Sequence, residues 1–276
     1  MTSVVEVPVA PCRHTDERGR PISTGQYPEC MTLPRIVSAD EWHAERVALL
    51  AEEKAMTKAR DALNTKRRML PMVRVDKEYQ FDGPSGTASL RDLFEGRQQL
   101  IVQHFMFDPS WEQGCSSCTA ASDELCDGLL AHLHARNTTF AVVSRAPLAK
   151  LEAYKNARGW TFPWYSSFGG DFNYDYHVSL DPSVAPVEFN FRSADELEAK
   201  GMGWILEGPS EQPGYSNFLA VDDDVFHTYS MYARGTEFLG GSYAFLDTTA
   251  LGRQEDWEEP KGRADIVHGA TPDFAT

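Results

Sequence analysis

Two runs of the chain are almost continuously apolar: Leu100-Ile-Val-Gln-His-Phe-Met-Phe107 and Thr138-Thr-Phe-Ala-Val-Val-Ser144. Short runs without polar alternation suit strands buried on both faces. Between them, from Cys115 to about Ala135, the apolar positions Leu125, Leu129, Leu130 and Leu133 recur at helical spacing. Pro147 opens a further helix that runs to about Arg158 and closes at Gly159. Trp160-Thr-Phe-Pro-Trp-Tyr165 reads as extended. Asn217-Phe-Leu-Ala-Val221 and Val225-Phe-His-Thr-Tyr-Ser230 flank an acidic turn and predict a hairpin, and residues 238–251 a closing helix or helical turn. Upstream, Tyr79 to Gly86 reads as a strand and turn, and Ser89 to Phe94 as a short helical turn. Residues 166–215, rich in Gly, Asn and aromatics, carry no clear period. Strand, helix, strand, helix, hairpin and helix in that order predict an α/β domain with a central mixed sheet flanked by helices. Its first two strands should be parallel with a right-handed crossover, and the hairpin antiparallel at one side.

The ends differ from this middle. Residues 1–37 hold Pro8, Pro11, Pro21, Pro28 and Pro34 with few large apolar groups, and read as an extended arm. Residues 38–70 read as one long helix. Ser38-Ala-Asp-Glu41 is a capping box, Lys66, Arg67 and Arg68 complement the far end of the dipole, and Pro71 stops it. Trp42, Val47, Leu50, Met56 and Leu63 form an uneven apolar stripe, a surface for packing or for a homodimer. From residue 253 the chain is charged and reads as a tail. The predicted organisation is an arm (1–37), a helix (38–70), an α/β domain (71–252) and a tail (253–276).

Composition narrows the function. The 276 residues are 42% hydrophobic and 24% charged, ordinary for a globular protein. No apolar run approaches the roughly 20 residues that span a bilayer. The start, Met-Thr-Ser-Val-Val-Glu-Val-Pro, lacks the basic and apolar segments of a secretory leader, so a cytoplasmic protein without membrane partners is expected. A net charge of −15 repels phosphate backbones and argues against nucleic acid as a partner. No glycine-rich nucleotide motif is present, so neither NAD nor FAD is expected as a cofactor. Five cysteines (Cys12, Cys30, Cys115, Cys118 and Cys126) are odd in number and sparse for this length, which argues against a secreted disulfide framework.

Cys115-Ser-Ser-Cys118 is the chemical candidate. It follows a buried strand by a short loop and stands in the first turn of a helix. Free N–H groups and the positive end of the dipole at such a place stabilise a sulfur anion, which lowers a thiol pKa from about 8.5 into the range of roughly 3.5–7.5. The thiolate is the nucleophile of disulfide exchange. Cys115 is therefore expected to be exposed and to attack, and Cys118, one turn further in, to resolve. A disulfide or thiol of a small molecule or peptide is the expected partner. The alternatives are a metal ion held by Cys115 and Cys118 with His104 and His177, and a non-catalytic binding scaffold. Cys126 is expected to be a buried core thiol. Trp111 is expected to flank the site as a substrate-facing aromatic. Glu112 is a candidate proton carrier, and Arg145, at the C-terminal end of the second buried strand, a candidate to lower the thiol pKa or hold an anion. Asn173 and Tyr174, within an aromatic–acid cluster, are candidates to line a pocket beside the dithiol.

Trp111-Glu-Gln-Gly-Cys-Ser-Ser-Cys-Thr119, Val143-Ser-Arg-Ala-Pro-Leu-Ala-Lys150, Gly159-Trp-Thr-Phe-Pro-Trp164 and Asp171-Phe-Asn-Tyr-Asp-Tyr-His177 together resemble a bacterial and fungal thioredoxin-like family labelled as predicted dithiol–disulfide oxidoreductases. The resemblance covers about residues 32–252. A more distant likeness to peroxiredoxins lies in Val143 to Tyr154 and the hairpin. Both imply a thioredoxin-like fold with the dithiol on its active-site helix. Two departures are visible. Where peroxiredoxins carry a Pro and a Thr or Ser before their reactive cysteine, Asp108 and Glu112 stand before Cys115, and Trp111 and Cys115 before Cys118. Thioredoxins place a proline just ahead of the third core strand, here Gly214-Tyr-Ser-Asn-Phe218, and the nearest proline, Pro213, reads as too early.

Overall fold

The structure, a computed structural model, describes residues 34–239, 241–250, 252–259 and 261. The expected arm lies outside the described residues except for 34–37, as does the expected tail beyond 261. The described residues form two compact units, 34–65 with 245–261, and 66–244.

Helix α1 (Ala39–Arg68), which belongs to the first unit as far as Thr65, starts where its cap predicts, with the Glu41 N–H donating to the Ser38 hydroxyl at 3.2 Å. None of its residues is buried.

The second unit is built on an eight-stranded sheet. In chain order its elements are β1 (Val73–Arg74), β2 (Gln80–Gly83), β3 (Gly86–Ser89), β4 (Gln99–His104), α2 (Ser116–Asp123), α3 (Asp127–His134), β5 (Thr138–Ser144), α4 (Leu148–Arg158), β6 (Trp164–Ser166) and α5 (Phe172–Asp175). There follow β7 (Ser179–Leu180), β8 (Glu188–Phe189), β9 (Arg192–Ser193), α6 (Ala194–Ala199), β10 (Ser210–Glu211), β11 (Gly214–Val221), β12 (Asp224–Tyr232) and α7 (Gly241–Leu246). The large sheet runs β1-β12-β11-β4-β5-β6-β2-β3. Strands β4, β5 and β6 are parallel, with Gln99 opposite Thr138 and His104 opposite Val143, and the predicted hairpin β11–β12 adds antiparallel to β4. This is the expected mixed thioredoxin-like sheet. Pro213 is the residue directly before β11, so it is not early: the strand simply begins at Gly214.

Alternation along β4 divides the core. Leu100 and Val102 pack with Phe81, Phe172 and Phe218 on one face. Phe140 and Val142 of β5 pack on the other face with Phe105, Phe107, Trp164 and Cys118. The aromatic motif around Trp160 finds its role here. Rings of Phe105, Tyr154, Trp160 and Trp164 meet at 4.8 to 6.4 Å between centroids, a rigid backing for the helix that carries the cysteines. The segment 166–215 contributes Val178, Leu180, Phe189, Leu197 and Ile205 to a third small core, which Tyr232 of β12 completes.

The sequence predicted one helix from Cys115 to about Ala135, and the structure breaks it in two. α2 ends at Asp123, and Cys126 becomes the residue that precedes α3, in extended conformation. The break turns Cys126 out of the core, and the thiol expected to be buried is exposed.

Candidate functional site: a dithiol at a helix start

Cys115 is the N-cap of α2, with φ −57° and ψ 132°. Its N–H donates to the Met106 carbonyl at 3.0 Å, and its carbonyl accepts from the N–H and hydroxyl of Thr119 at 2.9 and 2.8 Å. The helix start is thereby tied to the end of β4. Gly114 is required just before it. A Cβ at that position would lie 2.6 Å from the Phe105 ring, so no larger residue fits without moving the loop.

Donors converge on the Cys115 sulfur. The Cys118 thiol is the strongest, joined by the Ser117 hydroxyl at 3.1 Å and the N–H groups of Cys118 and Ser117. Partial burial opposes them, yet the thiol pKa falls to about 6. The sequence predicted this direction but credited the helix end, with Arg145 as a further candidate, and predicted an exposed sulfur. Cys115 is instead half-buried, and its neighbour's S–H does the most. Cys118 is the mirror case. It is buried, and the hydrogen bond to Cys115, burial and the charge on Cys115 all raise its pKa, while the Met106 N–H partly offsets them.

Behind the loop stands a second polar cluster. Arg145, one residue past β5, donates Nε to Glu211 Oε1 at 2.7 Å and its terminal nitrogens to Asp108 and the Tyr174 hydroxyl. Glu211 is nearly sealed from solvent, and its carboxylate also accepts from Ser179 at 2.9 Å. Burial raises the Glu211 pKa to about 7, with Arg145 and Ser179 pulling it back. Arg145 thus pairs with two carboxylates of the fold itself, and the donors at Cys115 are others. It anchors the loop 108–114 from its Asp108 end. Lys150 holds the same loop from below, donating Nζ to the carbonyls of Pro109 and Trp111 at 2.9 and 2.6 Å.

The remaining candidates scatter. Trp111 and Glu112 lie exposed on the loop that leads to the cysteines. Asn173 is buried, with its amide oxygen accepting from the Ser167 hydroxyl at 2.7 Å, so it supports a turn. Tyr174 reaches Arg145 rather than the dithiol. The ligand set Cys115, Cys118, His104 and His177 is not assembled. His104 projects on the sheet face opposite the cysteines, stacked on Tyr176, with Nε2 2.8 Å from the Ser216 hydroxyl, because it shares the strand phase of Leu100 and Val102. His177 stands 3.9 Å from Glu188. Among the described residues no group of three or more His, Cys, Asp or Glu is arranged to hold a metal ion, and no helix is long and apolar enough to cross a membrane. Sequence reasoning missed Glu211, Ser117 and Lys150 as parts of the site. Lys150 lies in a motif of the resemblance, which gave it no role, and nothing local marks Glu211.

The strand order defines a thioredoxin-like fold, and a cysteine pair stands at the start of the helix that follows β4. The chain belongs to the family described as "Bacterial protein of unknown function (DUF899)", whose profile matches residues 31–268. No curated protein matches it. Among solved structures it is similar to a cysteine mutant of peroxiredoxin Q from Xanthomonas campestris, at 11% identity over 58% of this chain and 84% of that one, with a TM-score of 0.37. It is also similar to a PrxQ mutant from Xylella fastidiosa, at 12% identity over 58% and 85%, with a TM-score of 0.36. A peroxiredoxin 6 mutant from Arenicola marina gives 11% identity over 62% and 70%, with a TM-score of 0.38.

Proposed function

We propose that the protein is a thiol–disulfide oxidoreductase of a reducing, cytoplasmic compartment, acting on a small-molecule or peptide disulfide. The observation that carries the reading is the opposed state of the two thiols: Cys115 at about 6 among converging donors, Cys118 pushed upward in a buried position. The Cys115 thiolate attacks a substrate sulfur, the substrate S–S bond breaks, and one thiolate leaves. Cys118 then attacks the Cys115 sulfur of the mixed disulfide and releases the second thiol. The protein has lost two electrons and the substrate has gained them.

Magnitudes identify which step gains most. At pH 7 a pKa of about 6 makes Cys115 about 90% thiolate, against about 3% for an ordinary thiol, roughly a 30-fold gain. Lower basicity takes back about 10-fold of this through weaker nucleophilicity. The net benefit to attack is small. The larger benefit falls on the second step, in which Cys115 leaves, because a low-pKa thiolate is the better leaving group. Cys118 is released at the right moment. The Cys115 hydrogen bond and charge both raise its pKa, and both vanish once Cys115 is capped by substrate.

Trp111 and Glu112, exposed beside the cysteines, are the residues proposed to meet the substrate. The test is equilibration of the full chain in glutathione buffers of graded potential, with the thiol state of each cysteine read by mass spectrometry. The expected result is a single reversible two-electron step that joins Cys115 to Cys118. Two thiols that stay independent across the series overturn the reading.

A further inference from the structure

Helix α1 has an exposed seam that the thiol chemistry does not use. Trp42, Leu49, Met56 and Leu63 recur every seven residues and are 60%, 51%, 72% and 48% exposed. This row is more regular than the stripe read from the sequence, since Leu49 takes the place of Val47 and Leu50. A seven-residue apolar repeat drifts only about 20° per heptad around a straight helix, and a left-handed supercoil keeps it on one line. The helix spans 30 residues, about 45 Å, with no buried residue. Most helical stability in proteins comes from packing of an apolar face rather than from propensity.

The charges along the helix select the occupant. The N-terminal half carries Asp40, Glu41, Glu45, Glu52 and Glu53 against Arg46. The C-terminal half carries Lys54, Lys58, Arg60, Lys66, Arg67 and Arg68 against Asp61. The helix dipole favours such a bias only in the first and last turns; Glu45 pairs with Arg35 and Glu53 with Arg46 within the chain, which leaves the split between Glu52 on one side and Lys54, Lys58 and Arg60 on the other to be explained. We propose that α1 is a self-association element, with a second copy of this chain laid antiparallel along the row Trp42, Leu49, Met56 and Leu63. Antiparallel pairing sets the acidic half of each copy against the basic half of the other. Parallel pairing would set like against like. With Met56 at the centre of the pair, Leu49 of one copy is level with Leu63 of the other, and Glu52 with Arg60.

The test uses the full chain in sedimentation equilibrium over a concentration series, with circular dichroism to verify helix content. The wild type is expected to dimerise. The double variant Leu49→Glu/Leu63→Glu is expected to raise the dimer dissociation constant by at least about 100-fold. Two charge variants, Glu45→Lys/Glu52→Lys/Glu53→Lys and Lys54→Glu/Lys58→Glu/Arg60→Glu, are each expected to be monomeric at low salt and to form a one-to-one dimer when mixed. Orientation is read by oxidative cross-linking of Leu49→Cys mixed with Leu63→Cys. The cross-link is expected in the mixture and not in Leu49→Cys alone. A wild type that stays monomeric to about 100 μM, a dimer indifferent to all α1 variants, or cross-linking of Leu49→Cys to itself would overturn the proposal.

Discussion

Cys115→Ser removes thiol–disulfide exchange by the dithiol, a loss of at least about 1,000-fold, while Cys118→Ser stops the reaction halfway. The two variants separate because the two sulfurs have separate duties. With serine at 115 the remaining Cys118 is buried and its pKa stays raised by burial, so it cannot reach or attack a substrate disulfide. With serine at 118 the first attack still occurs, and the mixed disulfide on Cys115 persists for want of a resolving thiol. Mass spectrometry of Cys118→Ser after incubation with a disulfide panel should therefore find a covalent adduct at Cys115. The Cys118 thiol is also the strongest donor to the Cys115 sulfur. The trapped variant should accordingly attack with a higher pKa than the wild type, although a serine hydroxyl replaces part of the lost hydrogen bond. Equal activity of Cys115→Ser and wild type would remove the chemical role of this residue altogether.

Arg145→Met is expected to destabilise the second unit by about 3–5 kcal/mol, the range for a buried ion pair that loses one partner. Methionine fills much of the volume, but it leaves the Glu211 carboxyl sealed in the fold without its counter-ion and frees the Asp108 end of the dithiol loop. Glu211 also gives the loss a pH dependence. Its folded pKa, about 7, lies above the roughly 4.3 of an unfolded glutamate. The protonated form therefore favours folding at low pH, and this contribution disappears as pH rises through the folded value, leaving the full cost of a buried charge above it. Arg145 offsets that cost in the wild type. Urea unfolding should thus find the largest gap between Arg145→Met and wild type near pH 8, narrowing by about 1 kcal/mol or more toward pH 5 as Glu211 takes up its proton. Asp108 contributes no slope there, because its pKa is lowered by hydrogen bonds from Ser110 and Arg145, which outweigh its burial. Adding Glu211→Gln to Arg145→Met should flatten the dependence. A pH-independent gap would place the loss elsewhere than at Glu211.

The sheet was legible in the sequence because its signals are local. Leu100 to Phe107 and Thr138 to Ser144 are apolar at nearly every position, and the two hairpin runs flank an acidic turn. The position of the dithiol was legible for the same reason: a strand, a short loop and a helix start are neighbours in the chain. The break between α2 and α3 was not, since Leu125, Leu129, Leu130 and Leu133 keep a helical period across it and Cys126 lacks a cap signal of the Ser, Thr, Asp or Asn kind. Tertiary pairings were illegible throughout. Arg145 meets Asp108, Tyr174 and Glu211, which lie 37, 29 and 66 residues away. His104 looked available as a ligand because the sequence does not fix which face of β4 the helix will cover. Its strand phase turns it toward Ser216 and Tyr176 instead.

The proposal as a whole depends on whether the sulfur of Cys115 is an anion near neutral pH. The direct measurement is the rate of iodoacetamide alkylation at Cys115 of the reduced full chain between pH 4 and pH 10, resolved from the other thiols by peptide mass spectrometry. The expected profile rises with a single midpoint near 6 and is flat by about pH 8. A midpoint at about 8.5 or above, where an unperturbed thiol titrates, would contradict it.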